Sequence, residues 1–342
     1  MSKLFTPLNI GPNQLSNRLA LAPLTRYRAD DEWTPTPMME EYYAQRGCVT
    51  GTLLISEGTL ISYRIAGRHN VPGIWNEAHI AGWKKVTDAV HAKGSFIYCQ
   101  PWHLGRGGRA EVLESLGLHL ESSSAIPVAD GATTPLEMSE SDIQQVIEDY
   151  ATAERNALEA GFDGVEIHGA NGYLPDQFLQ DTCNKRTDGW GGSIEKRARF
   201  HIEVTKAVVN AVRADRVAVR LRPYSDFQGM LMDDPDPTFE YLVKQLKSLG
   251  LAYLHLIEAR ISGNDDTDCA QSAKAAVDET YKKYDVAVVF GRYFISNPDL
   301  VFRIKEGIKL DKYEWTYFYT PKLPTGYIDY PFCPQFQLSA RS

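Results

Sequence analysis

Seven short apolar runs recur along the chain, each followed by a stretch with helical periodicity. They are Leu19–Ala22, Leu53–Ser56, Phe96–Gln100, Gly164–His168, Val217–Arg220, Tyr253–Ile257 and Val286–Phe290. Each is apolar on consecutive rather than alternate positions, the pattern of strands covered on both faces. Helical patterns lie between them. In Ser139–Ala160, Ile143, Val146, Ile147, Tyr150, Ala153 and Ala157 recur at helical spacing, with Ser139 as N-cap and Asp142 three positions on. Ser193–Val212 repeats the pattern with Ser193 as cap, and Leu242–Leu249 and Pro298–Ile308 add two more helices. Strand-then-helix repetition implies a parallel sheet. Its steady recurrence over 342 residues favours a closed α/β barrel in one domain, 1–342, over an open doubly wound sheet. No GxGxxG follows the first run, which argues against a Rossmann dinucleotide site there.

The N-terminal residues around Gly11-Pro12-Asn13 read as a hairpin able to plug the N-terminal mouth of the barrel. Gly105–Thr134 is a long insertion after the third run, placed to form a lid. The count of runs is seven, one short of a closed (β/α)8 barrel. Between Ile257 and Val286 lie a polar loop and, from Ser272, one amphipathic helix carrying Ala273, Ala276, Val277 and Tyr281.

Charge and cysteine usage narrow the function classes. A net charge of −8 with no basic block argues against nucleic-acid partners. The five cysteines (Cys48, Cys99, Cys183, Cys269, Cys333) show neither CxxC nor metal-ligand spacing, and are expected to be reduced thiols. No signal-peptide pattern or bilayer-length apolar run is present, so the expected location is cytoplasmic, with no membrane partner.

The densest chemistry lies in GVEIHGANGY, Gly164–Tyr173. A buried strand ends in His168, and the following turn carries Asn171 and Tyr173. Loops at the C-terminal ends of parallel strands build active sites. His168 and Asn171 can donate hydrogen bonds to one oxygen, and the Tyr173 hydroxyl can give up a proton. The residues alone describe a carbonyl-binding site with an acid. Trp102 reads either as pocket wall or as packing at the barrel rim.

The motifs APLTRYRA (22–29), EYYAQR (41–46), VPGIW (71–75), IHGANGYL (167–174), GGSIEKRARF (191–200), FGRYFISNPDL (290–300) and GYIDYP (326–331) occur together and in order. With them the chain resembles the Old Yellow Enzyme family of flavoproteins, especially fungal ene-reductases of ergot-alkaloid and secondary-metabolism type. The resemblance implies a TIM barrel binding FMN at the C-terminal mouth, with NADPH as reductant and a small-molecule enone or enal as substrate, acting as monomer or homodimer. It further implies that Pro23 and Thr25 contact the flavin, that Gly58 admits the ring, and that Gln100 bonds its pyrimidine edge. Arg220 would stabilise charge on the reduced ring, Gly291 and Arg292 would bind the phosphate, and Phe318 and Tyr319 would pack at the cofactor's edge. His168 and Asn171 would hold the substrate oxygen, and Tyr173 would protonate the α-carbon.

Departures from the family cluster in two places. The family's seventh strand, which supplies half of the phosphate site, is absent between Asp268 and Ser272. Either seven strands close the barrel, or another segment such as Ile261–Cys269 fills the breach, or the fold is weakened. At the pocket, Pro101 stands where the family has leucine, Arg68 where an aromatic lines the substrate cavity, and Arg222 where a small residue, commonly serine, follows Arg220. These departures keep open two further readings. One is a flavin-independent isomerase or cyclase using the same three residues; the other is a cofactor-free pseudoenzyme.

Overall fold

A computed structural model describes residues 2–257 and 269–339. Seven parallel strands form its centre: β1 (Leu19–Leu21), β2 (Leu53–Leu60), β3 (Phe96–Trp102), β4 (Gly164–His168), β5 (Val217–Leu221), β6 (Tyr253–Leu256) and β7 (Val288–Phe290). All seven expected runs are strands. Their spatial order is β6-β5-β4-β3-β2-β1-β7. Consecutive strands are neighbours, with helices packed outside, so the sheet follows a TIM-type α/β path. Residues such as Leu54, Ile97, Val165, Val217 and Val219 are fully buried.

Ser139 caps the helix Glu140–Glu159 through a capping box with Asp142. Ser193 caps Ile194–Val212. Each buries the stripe its periodicity marks, including Ile143, Tyr150 and Ala157 in the first and Phe200, Val204 and Val208 in the second. Two expectations need correction. The helix read as Leu242–Leu249 spans Asp236–Lys247, opened by Asp236 and Pro237 in its first turn. The helix read from Ser272 breaks: Cys269–Ala275 is α-helical, a π-turn follows over Ala276–Thr280, and Tyr281 lies beyond it, exposed. Helices Pro37–Arg46 and Glu77–His91 escaped the periodicity reading.

The N-terminal hairpin pairs Leu8–Ile10 with Asn13–Leu15. Leu8, Ile10 and Leu15 pack on Ala20, Leu53 and Tyr98, closing one end of the sheet. Gly11 turns it at φ +54°, where a Cβ would collide with the Asp215 carbonyl oxygen. At the other end, three buried arginines fasten the C-terminal segment. Arg26 donates to the Phe318 and Gly326 carbonyls at 3.0 and 2.7 Å. Arg28 donates to those of Phe318 and Thr325, both at 3.1 Å, and Arg46 to that of Tyr327 at 3.2 Å. Tyr42 and Tyr327 stack at 4.2 Å between these cations.

β6 and β7 are the two edges of the sheet, and among the described residues no ladder joins them. Seven strands therefore do not close the barrel by hydrogen bonding between those two. The segment Ile261–Cys269, named as able to fill the breach, lies outside the described residues apart from Cys269, which starts a helix. Cys48, Cys99, Cys183 and Cys333 are free thiols. Among the described residues no helix is long and apolar enough to cross a membrane.

Candidate active site

Register places the site. Alternation along β4 turns Glu166 and His168 to one face. His168 pairs across the ladder with Arg220 on β5, and Arg220 pairs with His255 on β6. These side chains, with Gln100 from β3, form a polar layer across the sheet. The Glu166 carboxylate accepts from Gln100 Nε2 at 2.8 Å and lies 2.9 Å from His255 Nδ1. Burial pushes Glu166 upward, but His255, Arg220 and Gln100 outweigh it and hold the carboxyl below its usual range. Burial draws the Arg220 guanidinium down while Glu166 opposes that. Arg220 Nε is buried without a partner. Sequence reasoning missed Glu166 and His255. The signal was there: Glu166 is two positions before His168 in a strand that should be apolar throughout.

The structure brings the His168 and Tyr173 rings together, with Asn171 in the turn between them and its Oδ1 accepting from Arg222 at 3.2 Å. The His168 and Tyr173 rings lie 4.9 Å apart edge to face, and Trp102 meets Tyr173 at 4.9 Å and stacks on His168 at 6.4 Å. Trp102 is therefore a wall of this cluster. Burial, then the positive charge of Arg220, depresses His168 well below the usual histidine value, so its imidazole is neutral, with one N–H donor. Its Nδ1 is buried and unpartnered. Burial raises the Tyr173 hydroxyl, partly offset by Arg68, so the phenol stays protonated at neutral pH.

The turn that carries these groups is held from below and above. Asn171 sits at φ +61°, a left-handed conformation Asn tolerates well. Asp176 accepts from the Gly172 N–H at 2.9 Å and from Gln180 at 2.7 Å; burial raises its carboxyl to about 6. Gln177 donates to the Gly172 carbonyl at 2.6 Å and to the Leu104 carbonyl at 3.1 Å, tying the turn to the start of the Gly105–Thr134 insertion. That insertion covers the site: a Cβ on Gly107 would lie 3.2 Å from the Tyr173 ring. Arg68 donates to the Tyr27 hydroxyl at 2.9 Å and the Gly107 carbonyl at 3.0 Å, and lies 5.9 Å from the Trp102 ring centre. It thus reaches the same Trp102 ring that Tyr173 meets.

The residues expected to hold FMN divide. Pro23 is buried and Thr25 half-buried just past β1. Gln100 spends one N–H on Glu166 and keeps its other donor and its oxygen. Gly58 has a packing reason of its own: a Cβ there would lie 2.7 Å from the Trp102 ring. The unpartnered Arg220 Nε is a donor that a flavin carbonyl could satisfy, so the residues present fit the ring of FMN. The phosphate end is thinner. Gly291 precedes a single-turn helix, Arg292–Ser296, and a Cβ there would meet only ordinary contacts. The Arg292 guanidinium lies 5.3 Å from the Tyr313 ring centre. Phe318 is buried against Arg26, whereas Tyr319 is exposed and meets Tyr27 edge to face at 6.0 Å.

Residues 3–289 match the NADH:flavin oxidoreductase / NADH oxidase family. The chain is 54% identical to the chanoclavine-I aldehyde reductase fgaOx3 of Penicillium roqueforti, over 98% of both chains. That alignment runs over 362 positions against a chain of 342 residues, so the relative carries residues this chain lacks. A protein of Epichloe festucae var. lolii named "Probable inactive reductase easA" is 47% identical over 98% of this chain and 96% of its own. The solved Old Yellow Enzyme of Pichia sp. AKU4542 superposes with a TM-score of 0.92 at 35% identity, covering 97% of this chain and 94% of that one. The chain therefore belongs to the NADH:flavin oxidoreductase / NADH oxidase family, and is an oxidoreductase of the Old Yellow Enzyme type on a TIM-type α/β fold.

Proposed function

We propose that the protein reduces the C=C bond of α,β-unsaturated carbonyl compounds, with FMN as its redox group and NADPH as reductant. When bound, FMN supplies the hydride that adds to the β-carbon. Pro23, Thr25, Gln100 and Arg220 would hold its ring, and Gly291 and Arg292 its phosphate. The chain's own residues do the rest. His168 and Asn171 each donate to the carbonyl oxygen and stabilise the charge that builds there, an effect worth roughly 3 kcal/mol per donor by analogy with oxyanion holes. Tyr173 delivers its phenolic proton to the α-carbon, so one hydride and one proton saturate the double bond. Trp102 walls the site, and Gly107 of the insertion lies against the Tyr173 ring.

The observation that carries this reading is the cluster of neutral His168 and protonated Tyr173 beside Arg220, whose Nε has no partner. A relative named as an aldehyde reductase supports a carbonyl substrate from secondary metabolism. The test is incubation of the FMN-loaded protein with NADPH and 2-cyclohexen-1-one. Cyclohexanone should form in step with NADPH consumption; a flavin-loaded protein that oxidises NADPH but forms no cyclohexanone overturns the reading. A second reading, redox-free isomerisation by the same three residues, draws on the unjoined edges of β6 and β7 beside Gly291. Conversion of an enone by protein stripped of flavin would identify it.

A further inference from the structure

Arg222 follows β5 and leaves the sheet beside the substrate turn. Its Nη1 donates to Asn171 Oδ1 at 3.2 Å, the one hydrogen bond its side chain makes among the described residues. A guanidinium carries only donors, so the Asn171 atom facing it must be the oxygen. This chemistry sets the amide's orientation, which geometry alone leaves ambiguous between two flips. With Oδ1 occupied, Nδ2 and its two hydrogens lie on the opposite edge of the planar amide. The Asn171 backbone is held too: its carbonyl accepts from Gln228 Nε2 at 2.6 Å, from the loop that follows Arg222. The acidic group facing Arg222 is Asp176, and that carboxyl is already occupied by the Gly172 N–H and the Gln180 amide. Among the described residues Arg222 makes no salt bridge.

We infer that Arg222 is a positioning residue that turns the Asn171 amide so that its N–H donors, not its oxygen, meet the substrate carbonyl. A flipped amide would present an acceptor lone pair to the substrate oxygen and repel it. The inference rests on the proposed role of Asn171 and adds the residue that selects the amide's productive orientation.

A double-mutant cycle tests it, with the dissociation constant of 2-cyclohexen-1-one for the FMN-loaded protein measured by calorimetry, so that turnover is not the readout. Arg222→Ser should weaken binding roughly tenfold in the native background, since a charge-assisted hydrogen bond is lost. Arg222→Lys, which keeps a cationic donor, should stay within about threefold of the native protein. In an Asn171→Ala background, Arg222→Ser should change nothing further, because its one route of action is gone. Arg222→Met keeps the aliphatic stem and serves in place of Ser if that variant does not fold. Equal weakening in both backgrounds would mean that Arg222 touches the substrate itself, and would overturn the inference. So would native-like binding by both Arg222→Ser and Arg222→Met. If Asn171→Ala binds the enone as tightly as the native protein, the role of Asn171 fails first, and the inference falls with it.

Discussion

The turn after β4 and the segment that begins at β7 each place candidate residues at the C-terminal end of the sheet, but they are supported differently. Asn171 and Gly172 in the turn are held by Asp176, Gln177, Gln228 and Arg222, and Trp102 walls the His168 and Tyr173 rings. Gly291 and Arg292 stand beside a sheet edge, and the contact described for the Arg292 cation is the Tyr313 ring. The substrate side is thus preorganised, while the phosphate side lies beside a strand edge that no described strand pairs. Preorganised donors stabilise a transition state because they need not reorient when charge appears.

The largest expected effect probes the substrate side. Tyr173→Phe should lower enone turnover by about 10²–10⁴-fold, the range for loss of a general acid, while NADPH-driven reduction of the bound flavin continues. Rapid-mixing measurement of the two half-reactions checks this. Equal loss in both would show that Tyr173 does not serve the substrate half alone.

The pH profile sharpens the same side with a smaller effect. Burial lowers His168 from its ordinary 6.5, so it stays neutral as pH falls through 6. Burial raises Tyr173 above its ordinary 10.0, so it stays protonated as pH rises through 9. Enone affinity should therefore be flat, within about twofold, from pH 6 to 9. A histidine limb near 6.5 in a titration of the dissociation constant would contradict the buried, neutral imidazole.

The smallest expected effect tests the phosphate side. If few groups hold the phosphate, riboflavin should bind within about tenfold of FMN, less than 1.4 kcal/mol of discrimination. Fluorescence titration of flavin-free protein measures the ratio. A preference for FMN of a thousandfold or more would show a complete phosphate grip and erase the contrast between the two sides.

Much of this was legible in the residue order. The seven strands are continuous apolar runs, and burial on both faces demands such runs, so their positions are nearly independent of the rest of the fold. His168, Asn171 and Tyr173 are close in sequence on one strand-to-turn junction, so local geometry alone brings them together. The resemblance through motifs such as IHGANGYL and GGSIEKRARF carried the chemistry. The helix starting at Asp236 was less legible, because its first turn contains Asp236 and Pro237 rather than apolar residues.

What the sequence determined by itself is the set of seven strands and the three residues that follow one another at the end of β4. Each depends on neighbours within a few positions. What the tertiary structure alone decided depends on groups far apart in the chain. Ladder register sets Arg220 opposite His168 and next to His255, and so turns Glu166 into the acceptor of an interior polar layer. The same register brings Arg222 to the Asn171 amide, fifty-one positions away in the chain. Residue order specifies which groups are present, but the direction of a hydrogen bond between distant strands follows only once pairing and pleat have placed both partners.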